Sequence, residues 1–559
     1  MDKIIEKEIK QAQSELLGIL AEKNNSEYFG IFAAANIAMM SLKADENTVK
    51  ENINEIFTSA TAACIEEYMD LYSSLSVLGA KIGETALRGI LTVDEYLVHG
   101  RRNDYTTNPS CLTKLLLSLH HLSEADSYAE YGAGLGNGAI AAAKVTDQVT
   151  TMDISVYMTA VTEIRAYWQQ KNVVAIHGDM LRSDNLARMK AGKTTVDMPI
   201  GMRISNIRDF IESPLLEPYK KIIERSRSMS WRYALTAYMN NPEGRVIAIM
   251  EPNSLFAAPE GDIRKTLINQ GIIEGIIELP DNFFYNTSIK LCLVILSKNN
   301  HSVKFMDTSN MATIGRRQKS FSDEQINEIV AMYDGCKDNC IEVSAEEISE
   351  ADYVLAINRY TQKGSSVQNG VPLAELCSSI KRGSAIMASS LEEIASNEPT
   401  KYRYLMLKHV LNGRIDTKLP YLSNLDEKQF QFCLDDGDLV MSKMLPLKIG
   451  IVHVSEGEKV LANGNLYRIN VDKEKIHPVY LMLYLQSEKG EEEMSKYANG
   501  GGMKTISIKD LGQVMVPMIP MSEQMKIVEK YEKLNDRLSE IEKEKAIIKD
   551  SISNLVLQR

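Results

Sequence analysis

The sequence predicts a multi-domain α/β protein. In order it has a helical N-terminal domain (1–100), a mostly parallel sheet flanked by helices (101–310), a helical connector and linker (311–370), a second, smaller α/β domain (371–521) and a long coiled-coil-like C-terminal helix (522–559). Three observations carry this. At 559 residues the chain is too long for one ordinary core. Its hydrophobic pattern changes from helical spacing, to strands alternating with helices, to short strands and turns. Its tail then repeats apolar residues every seven positions.

The first element set is read from "FGIFAAANIAMMSL" and "NINEIFTSATAACIEEYMDLYSSLSVL", which carry apolar residues at helical spacing and no proline. From about residue 101 short apolar runs follow one another: "SYAEYG", "QVTTMDI", "NVVAIHGD", "PIGMRIS", "GRVIAIME", "IIEGIIELP" and "KLCLVILSK". Strands alternating with helices imply a mostly parallel sheet, with "PIGMRIS" as its fourth strand. A polar, helix-rich stretch leads to "TQKGSSVQNG", where Gly364, Ser365, Ser366 and Gly370 mark a linker. Beyond it come "LDDGDLVMSK", "IGIVHVSEGEKV" and "NLYRINVD". In the tail Ile527, Leu534, Ile541, Ile548 and Leu555 stand seven apart, with Tyr531, Leu538 and Ile552 at the other heptad position and Lys545 as its break. This argues for a coiled coil or a long antiparallel helix pair; the other reading is an amphipathic helix lying on its own domain.

Composition narrows the class. Apolar content of 44% with 25% charged residues is that of a soluble globular protein, and no apolar run approaches the roughly 20 residues of a membrane helix. The charged start "MDKIIEKEIKQAQSELL" has neither the apolar core nor the cleavage site of a signal peptide, so a cytoplasmic location is expected. The seven cysteines are scattered; Cys336 and Cys340 have no second pair or histidine nearby, so no metal site is expected. A net charge of −12 argues mildly against a polyanion partner, but local charge decides binding.

The run "YAEYGAGLGNGAI" places glycine at 132, 134, 136 and 138 after Glu130. It fails the dinucleotide fingerprint, since the sixth residue is Asn137 counting from Gly132 and Ala139 counting from Gly134. A carboxylate at Glu130 would repel a pyrophosphate but suits a cation such as the ammonium of a methionine moiety. Asp153 ends the next strand, where a carboxylate can hold ribose hydroxyls. Asp179, after the third strand, is placed to accept from an adenine amino group. These acids around Gly132, Gly134 and Gly136 fit S-adenosylmethionine; the alternative is an empty doubly wound domain with helix-capping acids.

The run "GRVIAIMEPNSLFAAPEGDIRKTLINQGIIEGIIELPDNFFYNTSIKLCLVILSK" resembles the modification subunits of type I restriction systems, an adenine-N6 DNA methyltransferase family. Pro252, Leu255, Phe256, Ile263, Arg264, Lys265, Leu279, Pro280, Asn282, Phe284, Tyr285 and Thr287 carry the match. The resemblance implies a Rossmann-like class I methyltransferase domain. It also covers the helical N-terminus and sets "YTTNPSCLTKLL" where the family has a "TP" segment on the cofactor side, Asn108 replacing that proline and Thr106 or Thr107 making the contact. "VPLAELCSSIKRG", "DDGDLVMSK", "NGNLYRIN" and "GGGMKTISIKDLGQVMVPMIPMSEQMKIVEKYEKL" are similar to the specificity subunits of the same systems, in the order of one target-recognition domain and its helical spacer. Lys381, Arg382, Arg403, Lys443, Lys448 and Lys504 lie in turns and strand ends, where such a domain would reach phosphates or base edges of double-stranded DNA.

In that family an Asn-Pro-Pro-aromatic motif after the fourth strand accepts the amino hydrogens of a flipped adenine and stacks on its ring. Here "MRISNIRDFIES" is expected at that point. Asn206 takes the first position, Ile207 and Arg208 replace the prolines, Asp209 replaces the aromatic residue, and Phe210 comes one residue late. The expectation is a sequence-specific methylase–specificity fusion of a restriction-modification or phage-defence system with a degraded target-base motif. Two readings stand: an adenine-N6 DNA methyltransferase, or a non-catalytic DNA-targeting subunit. The partners implied are DNA and either a second copy or an active methylase or restriction subunit.

Overall fold

The computed structural model describes residues 3–21, 28–92, 108–182, 184–206, 210, 213–284, 289–315, 318–361, 367–411, 413–500 and 504–554. The chain folds as two compact units, Met1–Thr361 and Gln362–Arg559.

The first unit opens with helices α1 (Lys3–Leu20), α2 (Tyr28–Ser41), α3 (Glu46–Ile56), α4 (Ser59–Glu66), α5 (Tyr72–Ile82) and α6 (Glu84–Thr92). Asp45 caps α3 by accepting from the Thr48 N–H at 2.9 Å. Helix α2 is apolar all round and therefore buried all round: Phe29, Ile31 through Ala35, Ile37 and Ala38 are almost inaccessible. After α7 (Ser110–His120), β1 (Ser127–Tyr131), α8 (Asn137–Ala142) and β2 (Gln148–Asp153) comes α9 (Val156–Trp168). Met158, Val161 and Ile164 of α9 share the core of the N-terminal helices, so helices and sheet form one body.

The sheet continues through β3 (Val174–His177), β4 (Lys193–Val196), β5 (Arg245–Met250), β6 (Ile273–Glu278), β7 (Cys292–Leu296) and β8 (Ser302–Asp307), and Cys340–Ser344 adds an edge strand. Its order is Cys340–Ser344, β8, β6, β7, β5, β4, β1, β2, β3. Strands β1 to β5 are parallel, and β7 runs antiparallel between β5 and β6. This is the doubly wound order 3-2-1-4-5-6 with one strand inserted. Strands such as "RVIAIM" are covered on both faces and so read as continuous apolar runs.

Two expectations are corrected. "PIGMRIS" is not the fourth strand: β4 is the more polar "KTTV", which lies between β1 and β5. Pro199 lacks a donor and Gly201 takes φ +75°, so residues after β4 leave the sheet and instead bridge Arg203 to Ser228. Residues 311–361 are not a connector but part of the first unit. They supply the edge strand, and Leu355, Ile357 and Tyr360 are buried in its core. Gly364, Ser365 and Ser366 lie outside the described residues, as does Leu555.

The second unit holds two five-stranded sheets. One is Cys377–Arg382, Leu466–Val471, Leu439–Ser442, Ile449–Ile451 and Gly413–Arg414; the other is Ala395–Ser396, Tyr421–Leu422, Tyr402–Leu405, Lys459–Ala462 and Cys433–Leu434. A 34-residue helix, Met521–Asn554, follows. Its first turns are tied down: Val528 is buried, Tyr531 is half-buried in the core, and Gln524 accepts from the His477 N–H. Farther along, Glu542 pairs with Arg414 at 2.6 Å, yet Leu534, Leu538, Ile541, Ile548 and Ile552 are 51–60% exposed. The helix touches its own unit on one flank and leaves the heptad stripe uncovered.

Candidate functional site

In an open parallel sheet a ligand crevice forms where neighbouring strands send their connections to opposite faces, here outside the carboxyl ends of β1 and β4. A cavity of about 730 Å³ lies there. Glu130, Gly132 and Gly134 reach it from β1 and its turn, Asp153 from β2, Asp179 after β3, and Asp197 after β4. Its other wall is apolar: Ile200, Met202, Phe210, Tyr233, Phe284 and Ile289.

The glycines are not equivalent. A Cβ at Gly132 would stand 2.0 Å from the Asp197 carbonyl oxygen, one at Gly136 would meet Thr162, and one at Gly138 would stand 2.2 Å from Glu130 Oε1. These are demanded by the protein's own packing, and Gly136 does not line the cavity. Gly134, at φ +50°, has nothing within 4 Å of its missing Cβ, so it alone of the four keeps its backbone open to an occupant. Its N–H donates to Asp153 Oδ2 at 2.9 Å, while the Ser155 N–H donates to Oδ1 at 2.9 Å.

The carboxylates set the electrostatics. Burial, with the Asp197 charge next in weight, raises Glu130 to about 8, and its Oε2 has no partner among the described residues. Burial raises Asp197 to about 7 against the lowering effect of a hydrogen bond from Asn108 Nδ2, and Asp153 raises it further. Burial also raises Asp153. No described Lys or Arg forms an ion pair with any of the three. Acids held together in a low-dielectric cavity without a counter-ion favour a cationic occupant. Asp179 accepts from the Leu181 N–H at 2.9 Å and keeps its other oxygen 3.9 Å from Arg182 Nε.

On the target side, the expected position is corrected. The residues leaving β4 are Asp197-Met198-Pro199-Ile200, and Asp197 enters the cavity. Asn206 stands well past the strand, exposed and not among the cavity-lining residues. Phe210 does line the cavity, its ring 5.4 Å from the Arg232 guanidinium. Thr106, Thr107, Ile207, Arg208, Asp209, Tyr285 and Thr287 lie outside the described residues. Pro109 is the N-cap of α7 and Asn108 precedes it; among the described residues of this segment Asn108 lines the cavity, together with Thr113 and Leu116 of α7. "KTTVDMPI", with a proline third after the strand, was the available signal for Asp197.

In the second unit the basic residues separate into two groups. The Ser442 N–H donates to the Lys448 carbonyl, the Ile506 N–H to that of Lys443, and the Leu445 N–H to that of Lys504. Lys443, Lys448 and Lys504 therefore share one backbone turn, and burial, with the nearby charge of Arg382 next in weight, lowers the ammonium of Lys443. Lys381, exposed, neighbours Arg382 on the edge strand. Arg403 is elsewhere and occupied: it pairs with Glu458 at 3.0 Å, donates to the Leu419 and Thr417 carbonyls, and stacks 4.7 Å over Tyr421. Arg403, expected as a DNA contact, is thus engaged within its own unit.

Residues 169–368 match the family described as N-6 DNA Methylase, and residues 370–549 the Type I restriction modification DNA specificity domain. The type I restriction enzyme HindI methylase subunit of Haemophilus influenzae is 29% identical over 153 residues, 25% of this chain and 34% of that one. A putative type I restriction enzyme MjaX specificity subunit of Methanocaldococcus jannaschii is 31% identical over 128 residues, 22% of this chain and 29% of that one. The chain thus spans about a third of the length of each. Among solved structures, the methyltransferase subunit of a type I restriction-modification system from Streptococcus thermophilus is 19% identical, covering 59% of this chain and 80% of its own, with a TM-score of 0.46. One polypeptide thus carries a region that matches the N-6 DNA Methylase family, residues 169–368, followed by a region that matches the Type I restriction modification DNA specificity domain, residues 370–549.

Proposed function

We propose that the chain transfers a methyl group from S-adenosylmethionine to an adenine amino nitrogen in DNA whose sequence is read by its own specificity domain. The observation that carries this is Asp197, which leaves β4 into the same cavity as Glu130, Gly134 and Asp153. S-adenosylmethionine, when bound, supplies an electrophilic methyl group on a cationic sulfonium. Glu130 offers an unpaired carboxylate to its ammonium, Asp153 and Asp179 accept from its ribose and adenine, and Gly134 lets the backbone approach closely. Asp197, in the place the family gives to asparagine, accepts a hydrogen of the target amine and draws the nitrogen lone pair out of conjugation with the ring. Ile200, Met202 and Phe284 form the apolar wall against which a flipped base packs and from which water is excluded.

In the second unit, Arg382, Lys443, Lys448 and Lys504 supply the phosphate and base-edge contacts, and the exposed stripe of the terminal helix takes a second copy or a partner subunit. Transfer of labelled methyl to DNA tests the reading. Asp197→Ala should lower the rate on the order of a hundredfold, the usual cost of one oriented acceptor, while Asn206→Ala should leave it near wild type. Transfer that survives Asp197→Ala and disappears with Asn206→Ala would reverse the assignment. No transfer by the wild type to DNA carrying its recognition sequence would reject methylation itself.

A further inference from the structure

On the reading that Asp197 faces the target amine, we infer that Asn108 is a positioning residue for this site: its carboxamide holds one oxygen of the Asp197 carboxylate and leaves the other to a substrate amino group. Asn108 Nδ2 donates to Asp197 Oδ2, and both residues line the cavity. Asp197 Oδ1 has no partner among the described residues. The contact bridges 89 positions of sequence, from the residue before the Pro109 cap of α7 to the end of β4. Both ends are anchored. The Asp197 N–H donates to the Tyr131 carbonyl at 2.9 Å, and Pro109 fixes the chain direction where α7 begins. A carboxylate rotates freely about its last bond unless one oxygen is held. An amide donor holds it without adding charge, which a lysine or arginine would do at the cost of repelling a cationic methyl donor.

The charged and titratable groups facing Asp197 are Glu130 and Tyr128 from β1 and Asp153 from β2, all of which are anionic when ionised. Asn108 is the group acting on Asp197 that favours its ionised form. Its removal shifts the carboxyl towards protonation, and the direction can be read without any catalysis. A carboxyl whose folded value lies above its unfolded one costs stability as pH rises from the unfolded value through the folded one. Raising the folded value further extends that loss to higher pH.

Thermal unfolding of the full chain is therefore followed from about pH 5 to about pH 9 for wild type, Asn108→Ala, Asp197→Asn and the double variant. The gap between wild type and Asn108→Ala should widen as pH rises through about 7 and should be flat in the Asp197→Asn background. A gap independent of pH, or one that widens equally without the Asp197 carboxylate, would overturn the inference. In the methyl-transfer assay the acid limb of the pH profile should move up by about one unit in Asn108→Ala, a roughly tenfold loss below neutrality that recovers at high pH. Asn108→Gln, which keeps a donor, should restore part of it. A uniform loss at every pH would mean a merely structural role. If wild type transfers no methyl group, the proposed activity fails, while the unfolding profiles still decide whether Asn108 and Asp197 are coupled.

Discussion

Gly134→Ala separates what the glycine loop does for the fold from what it does for a ligand. At Gly134 an added methyl meets no atom within 4 Å, so the only cost to the protein is the left-handed backbone at φ +50°. For a non-glycine residue that is about 1 kcal/mol, a fall of about 2 °C in the unfolding temperature of a unit this size. A ligand whose carboxylate or ribose packs on the Gly134 backbone would instead meet the new methyl directly. Overpacking of that kind costs about 1–3 kcal/mol, or about 5- to 150-fold in Kd. Gly132→Ala is the contrast, because its methyl would lie 2.0 Å from the Asp197 carbonyl and force β1 and β4 apart. Calorimetric titration with S-adenosylmethionine and its demethylated product, beside thermal unfolding of each variant, reads both effects. Gly134→Ala should keep the fold and lose affinity, whereas Gly132→Ala should lose both. Equal Kd for wild type and Gly134→Ala would refute the placement of the ligand on this loop.

Affinity for S-adenosylmethionine should weaken as pH falls through about 8 and then about 7, because protons compete with the cation for Glu130 and Asp197. Each group contributes up to about tenfold per unit once it is protonated, and calorimetry of Glu130→Gln should lose the upper step. DNA affinity should fall with salt, and Lys443→Ala or Arg382→Ala should flatten the log–log slope by about 0.9 per phosphate contact removed. Arg403→Ala should leave that slope unchanged and lower the unfolding temperature instead, since it breaks the Glu458 pair and the Tyr421 stack. Leu534→Lys with Ile541→Lys should abolish any self-association seen by sedimentation; an unchanged profile would mean that the stripe does not mediate it.

The parts of the fold legible in the sequence were those whose cause is local. Strands β1, β2, β3, β5, β6 and β7 stand out because burial on one or both faces gives short apolar runs. The heptads of the terminal helix stand out because a period of seven needs no partner to be seen, and the uncovered stripe fits that period. What failed was competition between two candidate runs. "PIGMRIS" is more apolar than "KTTV", yet the shorter run takes the place between β1 and β5, where Thr194 and Thr195 are buried by their neighbours. Likewise, no local pattern shows that Arg403 meets Glu458 or that residues to Thr361 close the first unit.

The same distinction explains why one side of the site was readable and the other was not. Glu130, Asp153 and Asp179 each follow a strand that announces itself, so strand and acid were found together. Asp197 follows a strand that does not, and its partner Asn108 comes from a distant segment. The place of the fourth strand, Lys193–Val196, also decides which side chain follows it into the cavity. Asn206 predicts an amide site without the prolines and the ring. On the proposed reading Asp197 makes it a carboxylate site, with Pro199 kept and an aliphatic residue, Ile200, in the aromatic position. An amide acceptor works alike at any pH, but a buried carboxylate accepts fully only when ionised. A chain that uses Asp197 must therefore keep it charged among two other acids. The neutral donor from Asn108 acts in that direction, and on the proposed reading a cationic methyl donor, when bound, would act in the same direction, so that binding of the ligand would itself prepare the acceptor.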